Sequence, residues 1–212
     1  MLKINEIYAS IQGESSYTGL PCVFIRLTGC NLRCSWCDTA YAFYEGNNLT
    51  LKDAVLRVEN FSLPLVEITG GEPLMQEDVY PLMNTLLDKG YRVMLETGGA
   101  LSIEKVPKKV IKILDIKCPG SGEEKKNLLE NLKLLTPHDE VKFVLLDRAD
   151  YEWSCDFLKK CDLPSYVHVL FSPVYEKLEL KDLSKWILED KLPVRIQTQL
   201  HKVIWNKNAI GV

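Results

Sequence analysis

Short apolar runs alternate along the chain with longer stretches in which apolar and charged residues recur at helical spacing. The runs that predict strands cover residues 22–28, 65–69, 91–97, 110–116, 140–146, 166–171 and 193–199, and a short strand is expected before Gln12. The stretches that predict helices cover residues 49–61, 76–90, 123–135, 149–161 and 180–190. Strands that alternate with helices at this spacing form right-handed crossovers, so the strands lie parallel in one sheet.

The number of these units predicts an α/β fold, a partial (β/α)6-type barrel. A closed eight-stranded barrel typically takes about 250 residues, whereas this chain has 212. An open doubly wound sheet is the alternative. No linker rich in proline, glycine or serine divides the sequence, so we expect one domain over residues 1–212.

Polar or glycine residues follow nearly every predicted strand. They are Thr28 and Gly29, and residues 69–72, 96–99, 115–117, 172–173 and 199–201. Ligands bind at the C-terminal ends of parallel strands, both in barrels and in open sheets. The sequence therefore predicts one shared pocket at that end.

The composition is that of an ordinary globular protein, with 46% hydrophobic and 26% charged residues. The formal net charge of -3 gives no basic excess for a phosphate backbone, so nucleic acid is not an expected partner. The apolar runs are strand-length, and the N-terminus lacks the apolar block of a signal peptide. We expect a cytoplasmic protein without a membrane partner.

Three of the seven cysteines, Cys30, Cys34 and Cys37, have the spacing C-x3-C-x2-C in a loop directly after a predicted strand. The odd, scattered total argues against a secreted disulfide framework. A zinc site would need a fourth ligand, for which the histidines are His138, His168 and His201. A redox pair of Cys34 and Cys37 is a second interpretation.

A cubane iron–sulfur cluster is the third interpretation. Such clusters normally take four thiolates. Three thiolates leave one iron with an open position for a ligand that is not protein, as in catalytic metal sites that keep a coordination position free. The missing fourth cysteine would then be the functional feature.

This cysteine motif, with Trp36 before its last cysteine, resembles the signature of the radical S-adenosylmethionine superfamily, and residues 69–73 resemble its GGEP motif. The resemblance implies a partial or full βα barrel, a [4Fe-4S] cluster on Cys30, Cys34 and Cys37, and S-adenosylmethionine on the open iron. Cleavage of that cofactor releases a 5′-deoxyadenosyl radical. The implied cofactor-binding residues are Trp36, Cys37, Asp38, Gly70, Gly71, Glu72, Glu96, Asp115, Ile116, Lys117 and Ser121, and Arg148 is a weaker candidate neighbour.

The flanking segments EIYASIQGES, CVFIRLTGC, CDT and QTQLHKVIWN are together similar to the 7-carboxy-7-deazaguanine synthase family. That family converts 6-carboxy-5,6,7,8-tetrahydropterin to 7-carboxy-7-deazaguanine and ammonia by a radical ring contraction, a step of queuosine biosynthesis. The radical removes a hydrogen from the substrate's C6 and the hydrogen later returns, so S-adenosylmethionine is used catalytically and Mg2+ assists. The implied substrate-binding residues are Ile11, Gln12, Gly13, Glu14, Arg26, Thr69, His201, on the last strand, and Val212, and the implied magnesium ligand is Thr39.

The resemblance also implies an electron donor such as flavodoxin or ferredoxin. We expect a homodimer, because a short barrel has an exposed edge that a second copy can cover. Two rival hypotheses remain at this point. One is another small radical enzyme, such as a glycyl-radical activase, and the other is a zinc-stabilised binding module without catalytic activity.

Overall fold

The computed structural model describes residues 1–161, 163–205 and 209–211. The strands in these ranges are β1 (Leu2–Ile11), β2 (Pro21–Leu27), β3 (Asn47–Leu49), β4 (Leu65–Gly70), β5 (Arg92–Thr97), β6 (Ile111–Ile116), β7 (Glu140–Leu145), β8 (His168–Pro173) and β9 (Arg195–Ile196). The α-helices are α1 (Leu51–Glu59), α2 (Val79–Asp88), α3 (Arg148–Lys160), α4 (Leu180–Glu189) and α5 (Leu200–Ile204). Short 3-10 turns occupy Ala40–Phe43, Pro73–Met75, Pro119–Ser121, Glu124–Lys126 and Leu129–Leu134.

The strands form one sheet in the order β3-β1-β2-β4-β5-β6-β7-β8-β9. β1 pairs antiparallel with both β2 and β3, and every other neighbouring pair is parallel. Arg26 of β2 and Ser172 of β8 stand far apart in this order, yet both line the same cleft, so the sheet curves around it. The predicted α/β fold with a parallel sheet that does not close is confirmed.

The two faces of the sheet carry different side chains. The outer face packs against the helices, where α1 buries Ala54, Val55 and Val58 and α2 buries a further apolar stripe. On the inner face the N-terminal halves of the strands carry a smaller apolar cluster, with Phe24, Leu65, Met94 and Ile113 among its members. Because side chains alternate along a strand, the positions two residues further on point to the same face. These positions carry the charged side chains of Arg26, Glu67, Glu96 and Asp115.

Most predicted elements lie where the sequence placed them, and α1 begins with the predicted cap. The Thr50 hydroxyl accepts a hydrogen bond from the Asp53 N–H at 3.1 Å. The N-terminal strand is longer than expected, with ten residues in β1. The strand expected over 193–199 is reduced to the two residues of β9, because the chain turns away after Gln197 to form α5.

The helix predicted over 123–135 is wrong. Only the 3-10 turns Glu124–Lys126 and Leu129–Leu134 form there. Two asparagine side chains in this segment bond to distant main chain: Asn127 Oδ1 accepts from the Lys117 N–H at 2.9 Å, and Asn131 Nδ2 donates to the Leu101 carbonyl at 2.8 Å. These tertiary hydrogen bonds favour an irregular path over the local helical propensity.

Candidate functional site

A cleft of about 640 Å³ opens at the C-terminal ends of the parallel strands. The cleft therefore lies where the sequence predicted one shared pocket. Most residues proposed from the sequence line it, namely Ile11, Gln12, Gly13, Glu14, Arg26, Cys30, Cys34, Trp36, Cys37, Asp38, Thr39, Thr69, Gly70, Gly71, Glu96, Asp115, Lys117 and His201. Three proposed residues, Glu72, Ile116 and Ser121, are not among the lining side chains, and Val212 lies outside the described residues.

The loop that carries the cysteines is held by the loop that follows β6. Ser35 N–H donates to the Ser121 carbonyl at 3.0 Å, and the Ser35 hydroxyl donates to the Gly120 carbonyl at 2.7 Å. Arg33 N–H donates to Glu123 Oε1 at 2.7 Å. Ser121 therefore supports the cysteine loop through its main chain, while its hydroxyl donates to the Cys118 carbonyl at 2.6 Å.

All three cysteines of the motif are free thiols that are partly exposed to the cleft. Burial raises the pKa of Cys34 to about 11, and the nearby Lys117 ammonium opposes that rise. Within the described part of the chain, no group of three or more His, Cys, Asp or Glu side chains converges on a point where one metal ion would bind. A cubane takes each thiolate on a different iron, so this finding bears on a single zinc ion and not on a cluster.

The glycine pair of the GGEP motif lets the end of β4 pass against the cysteine loop. Gly70 has φ +143°, which favours glycine, and a Cβ on it would lie 2.2 Å from the Leu27 carbonyl oxygen. A Cβ on Gly71 would lie 2.1 Å from the Gly29 carbonyl oxygen and 2.8 Å from Cys30 Cβ. Any side chain at Gly71 would therefore displace the first cysteine.

Glu72, which the resemblance implies as a cofactor-binding residue, is not among the residues that line the cleft. Its side chain is fully buried and faces the protein. Oε2 accepts from the Gly98 N–H at 2.8 Å and Oε1 from the Leu74 N–H at 3.0 Å, and the Thr97 hydroxyl lies 2.9 Å from both oxygens. The carboxylate therefore fastens the loop after β4 to the end of β5, which leaves the backbone of Gly70 and Gly71 to face the cleft.

Ile116 and Arg148 also lie away from the cleft. Ile116 is 1% exposed and belongs to the apolar core on the outer face. Arg148 begins α3, where its guanidinium lies over the rings of Tyr151 and Trp186 at 4.8 Å and 4.9 Å from their centroids. Neither residue is among those that line the cleft, and the expectation that they contact the cofactor stays a prediction.

Among the described residues that line the cleft, two have a buried polar atom without a hydrogen-bond partner. These atoms are Trp36 Nε1, a donor, and Asp115 Oδ1, an acceptor. Asp115 Oδ2 is paired with Lys117 Nζ at 2.9 Å, and that ammonium lies 5.6 Å from the centroid of the Trp36 ring. Because an unpaired buried polar group is costly, this arrangement fits a ligand that offers both acceptors and donors, as the ribose and adenine of S-adenosylmethionine do.

Arg26 lies on the opposite side of the cleft and is partly occupied by protein groups. Its Nε donates to Glu6 Oε1 at 2.7 Å, and its Nη2 donates to the Tyr8 hydroxyl at 2.9 Å. The Tyr41 hydroxyl donates to the same Glu6 oxygen at 2.9 Å. These contacts fix the guanidinium and leave its Nη1 for a ligand carboxylate.

The side chain of Gln12 is oriented by two partners. Its Oε1 accepts from the Glu14 N–H at 3.1 Å, and its Nε2 donates to the Glu67 carboxylate. Glu67 lies on the inner face of β4, where burial and the neighbouring Glu96 and Glu14 carboxylates raise its pKa to about 8. The sequence reasoning did not identify Glu67 as part of the site.

Lys142 of β7 is a second residue that the sequence reasoning missed. Its ammonium lies 2.8 Å from Glu14 Oε2, contacts Glu96 Oε1 and lies 3.8 Å from Asp115 Oδ2. The signal for both residues was a charged side chain inside an apolar strand, Glu67 in LVEIT and Lys142 in EVKFVLL. In a parallel strand, which is normally apolar on both faces, such a residue indicates a paired charge or a site.

His201 lies on α5 and not on the last strand, so that part of the expectation is wrong, but the helix brings it to the cleft. Leu200 N–H donates to the Gly13 carbonyl at 3.0 Å. The approach is so close that a Cβ on Gly13 would lie 2.2 Å from His201 Nδ1 and 2.9 Å from the His201 main-chain nitrogen. Burial lowers the pKa of His201, which favours the neutral imidazole near pH 7.

Thr39 and Asp38 follow the last cysteine and lie at the rim of the cleft. The Thr39 hydroxyl donates to Asp38 Oδ1 at 3.0 Å, while Asp38 Oδ2 pairs with Lys202 Nζ at 2.6 Å and accepts from Gln199 Nε2 at 3.2 Å. The Thr39 oxygen keeps its lone pairs in this arrangement. It therefore fits a hard cation such as Mg2+, which binds oxygen ligands.

The chain matches known proteins along its whole length. A model described as the radical SAM superfamily matches residues 24–117. The 7-carboxy-7-deazaguanine synthase of Koribacter versatilis is 47% identical and is matched over 100% of both chains. The protein of the same name from Chlorobaculum tepidum is 44% identical over 100% of this chain and 97% of its own length.

Solved structures share the fold at lower identity. QueE from Escherichia coli superposes with a TM-score of 0.76 at 22% identity, covering 94% of each chain. Streptococcus suis SuiB bound to S-adenosylmethionine superposes with a TM-score of 0.58 at 16% identity, covering 81% of this chain and 48% of that chain. These likenesses agree with the partial barrel described above.

Proposed function

Because the chain belongs to the 7-carboxy-7-deazaguanine synthase family of radical S-adenosylmethionine enzymes, we propose that it converts 6-carboxy-5,6,7,8-tetrahydropterin to 7-carboxy-7-deazaguanine and ammonia. The relatives that carry this name are 44% and 47% identical over 100% of this chain. The observation that carries the proposal is the single cleft that brings the three thiols together with Glu14, Arg26 and His201.

The cofactor side of the cleft is formed by the cysteine loop and the ends of β4, β5 and β6. Cys30, Cys34 and Cys37 would hold the [4Fe-4S] cluster, and the unpaired atoms of Trp36 and Asp115 would bind S-adenosylmethionine. When bound, the cluster and the cofactor supply the 5′-deoxyadenosyl radical. The protein's own contribution is to hold the two together and to limit the access of water.

The substrate side is formed by the end of β1, by β2 and by α5. Arg26 would bind the substrate carboxylate through Nη1, since guanidinium and carboxylate form strong charge-assisted hydrogen bonds. Glu14 offers acceptors to the amino edge of the pterin, and the neutral His201 can donate or accept one hydrogen bond. Gln12 and Gly13 would position these two residues, while Thr69 and Ile11 line the wall.

Three further assignments belong to the same proposal. Thr39 would bind Mg2+ through its hydroxyl. A homodimer is supported by the exposed apolar side chains of Ile196, Val203 and Ile204 on β9 and α5. A reduced flavodoxin or ferredoxin would supply the electron, in a cytoplasmic setting. No helix in the described ranges has the length and apolar character needed to cross a membrane.

The test is an anaerobic turnover assay with mass detection of the purine. The protein is reconstituted with iron and sulfide and then given the tetrahydropterin, S-adenosylmethionine, Mg2+ and a reductant. We expect the deazaguanine and one ammonia per turnover. Cys34→Ser should abolish both iron binding and product, whereas the matched variant Cys161→Ser, at the end of α3 and outside the cleft, should retain both.

The assay also separates the rival hypotheses. A glycyl-radical activase would bind the cluster and cleave S-adenosylmethionine but would leave the pterin unchanged. A zinc-stabilised module would purify without colour and with one zinc under oxygen-free conditions. Either result would refute the proposed function.

A further inference from the structure

Lys142 lines the cleft from the inner face of the sheet. It lies in the middle of β7, and its side chain is 5% exposed. Three carboxylates from three different elements surround the ammonium, which are Glu14 after β1, Glu96 on β5 and Asp115 on β6. No other residue in the described ranges has ion pairs to both sides of the cleft.

The three carboxylates belong to different halves of the site. Glu14 Oε1 accepts from Gln199 Nε2 at 3.0 Å, which ties it to the substrate side and to the chain leading into α5. Asp115 is shared with Lys117 and carries the unpaired oxygen that faces the cofactor side. Glu96 on β5 also forms an ion pair with the Lys142 ammonium.

We infer that Lys142 is a positioning residue that fixes the substrate-side carboxylate Glu14 and the cofactor-side carboxylates Glu96 and Asp115 in one ion cluster. The inference rests on the proposed function, because that function assigns the two sides to the two ligands. Lys142 acts through these carboxylates, so its loss should weaken the binding of both ligands and not of one alone.

The electrostatics of the cleft support this role. Burial alone would lower the pKa of Lys142, but the three carboxylates outweigh it and raise that pKa, so the ammonium stays charged. Burial would raise the pKa of Glu14, but Lys142 reverses the effect and lowers it. Without the ammonium, the carboxylates would repel one another in a poorly solvated space. The titratable groups that face this region are Glu14, Glu67, Glu96, Asp115, Lys117 and His201.

The test compares Lys142→Met with Lys112→Met. Lys112 is a matched control, since it is also a buried lysine in an ion pair, with Asp139 Oδ2 at 2.8 Å, and it does not line the cleft. Dissociation constants for the tetrahydropterin and for S-adenosylmethionine are measured by anaerobic calorimetry on reconstituted protein with an oxidised cluster, which does not turn over. Turnover is measured separately.

We expect Lys142→Met to weaken the binding of each ligand by at least about tenfold relative to Lys112→Met, because charge-assisted contacts are lost or misplaced. The pH at which pterin binding is half-maximal should also rise, by about one unit or more. The reason is that Glu14 loses the ammonium that keeps it ionised. A purely structural role would move neither quantity beyond the control.

A second variant separates the loss of the Lys142 contacts from misfolding caused by an unbalanced buried charge. Lys142→Met combined with Glu96→Gln removes one positive and one negative charge, so the buried charge balance is unchanged, yet Glu14 still lacks its partner. Pterin binding should stay at least about tenfold weaker in this double variant. For Lys142→Met, a dissociation constant within about threefold of the control for either ligand would overturn the inference. A wild type that binds both ligands but forms no purine would refute the proposed function instead, and the variants would still decide the role of Lys142.

Discussion

The contact between Gly13 and α5 allows one prediction to be worked out in detail. In Gly13→Ala, the added Cβ would lie 2.2 Å from His201 Nδ1 and 2.9 Å from the His201 main-chain nitrogen. Ordinary contact begins at 3.4 Å, so the imidazole must retreat by about 1.2 Å and the helix backbone by about 0.5 Å. A rotation of the side chain alone cannot relieve the second contact.

The displacement should affect activity more than stability. α5 is short and lies at the surface, so we expect a loss of about 1 kcal/mol, at the low end of the range for overpacking. That loss corresponds to a fall of about 2–4 °C in the melting temperature for a chain of this size. A shift of about 1 Å in a substrate-contacting group can cost about 100-fold in rate, so kcat/KM for the tetrahydropterin should fall by about that factor.

Gly90→Ala provides the matched control. Gly90 follows α2 with φ +87°, and a Cβ there would meet no atom within 4 Å. Its strain in the left-handed region also costs about 1 kcal/mol, but the site is remote from the cleft. Both variants are assayed anaerobically after reconstitution, with iron content and melting temperature measured on the same samples. Equal kcat/KM in the two variants would show that the Gly13 contact does not position His201.

Three further predictions concern the cluster, the buried acid and the metal. Gly71→Ala should reduce the iron content after reconstitution, because its Cβ would lie 2.1 Å from the Gly29 carbonyl oxygen, and full iron loading would contradict this account. The raised pKa of Glu67, about 8 against an ordinary value of 4.5, means that the folded protein holds this proton more tightly than the unfolded chain. The stabilisation that this proton gives is therefore fully present below pH 4.5 and is lost as the pH rises towards 8. In urea unfolding of the apoprotein across that window, the free energy of unfolding should decline less steeply for Glu67→Gln than for the wild type. Parallel declines in the two proteins would refute this prediction. Thr39→Ala should weaken the Mg2+ dependence of turnover and leave the cluster absorbance unchanged, and a bleached cluster would count against a magnesium role.

Local patterns were enough to predict the elements whose sequence and packing agree. The apolar run of β4, the glycines after it and the Thr50 cap of α1 each have a local physical cause, and each lies where it was expected. The cysteine motif and the glycine pair could also be assigned to one end of the sheet, because parallel strands bring their C-terminal ends together.

The failures have long-range causes. Asn127 and Asn131 stand in a stretch of helical composition, but their amides bond to main chain that only the tertiary fold brings near them. Glu72 was expected to face the ligand, and the partner that turned it inward, Thr97, is 25 residues away along the chain. The ion cluster of Lys142 joins residues up to 128 positions apart, so no local pattern could reveal it.

The ends of the sheet have a consequence for how this protein behaves at high concentration. Of the nine described strands, the outermost two are the shortest, with three residues in β3 and two in β9. A long, bare outer strand would present a row of unpaired amide groups on which further chains can polymerise into fibrils. β9 offers few such groups, but β3 pairs with β1 only at Leu2, Lys3 and Ile4, so residues 5–11 of the ten-residue β1 have no strand partner on that side among the described residues. In preparations concentrated for oxygen-free spectroscopy, strand addition is therefore expected along this stretch of β1 and not at β9.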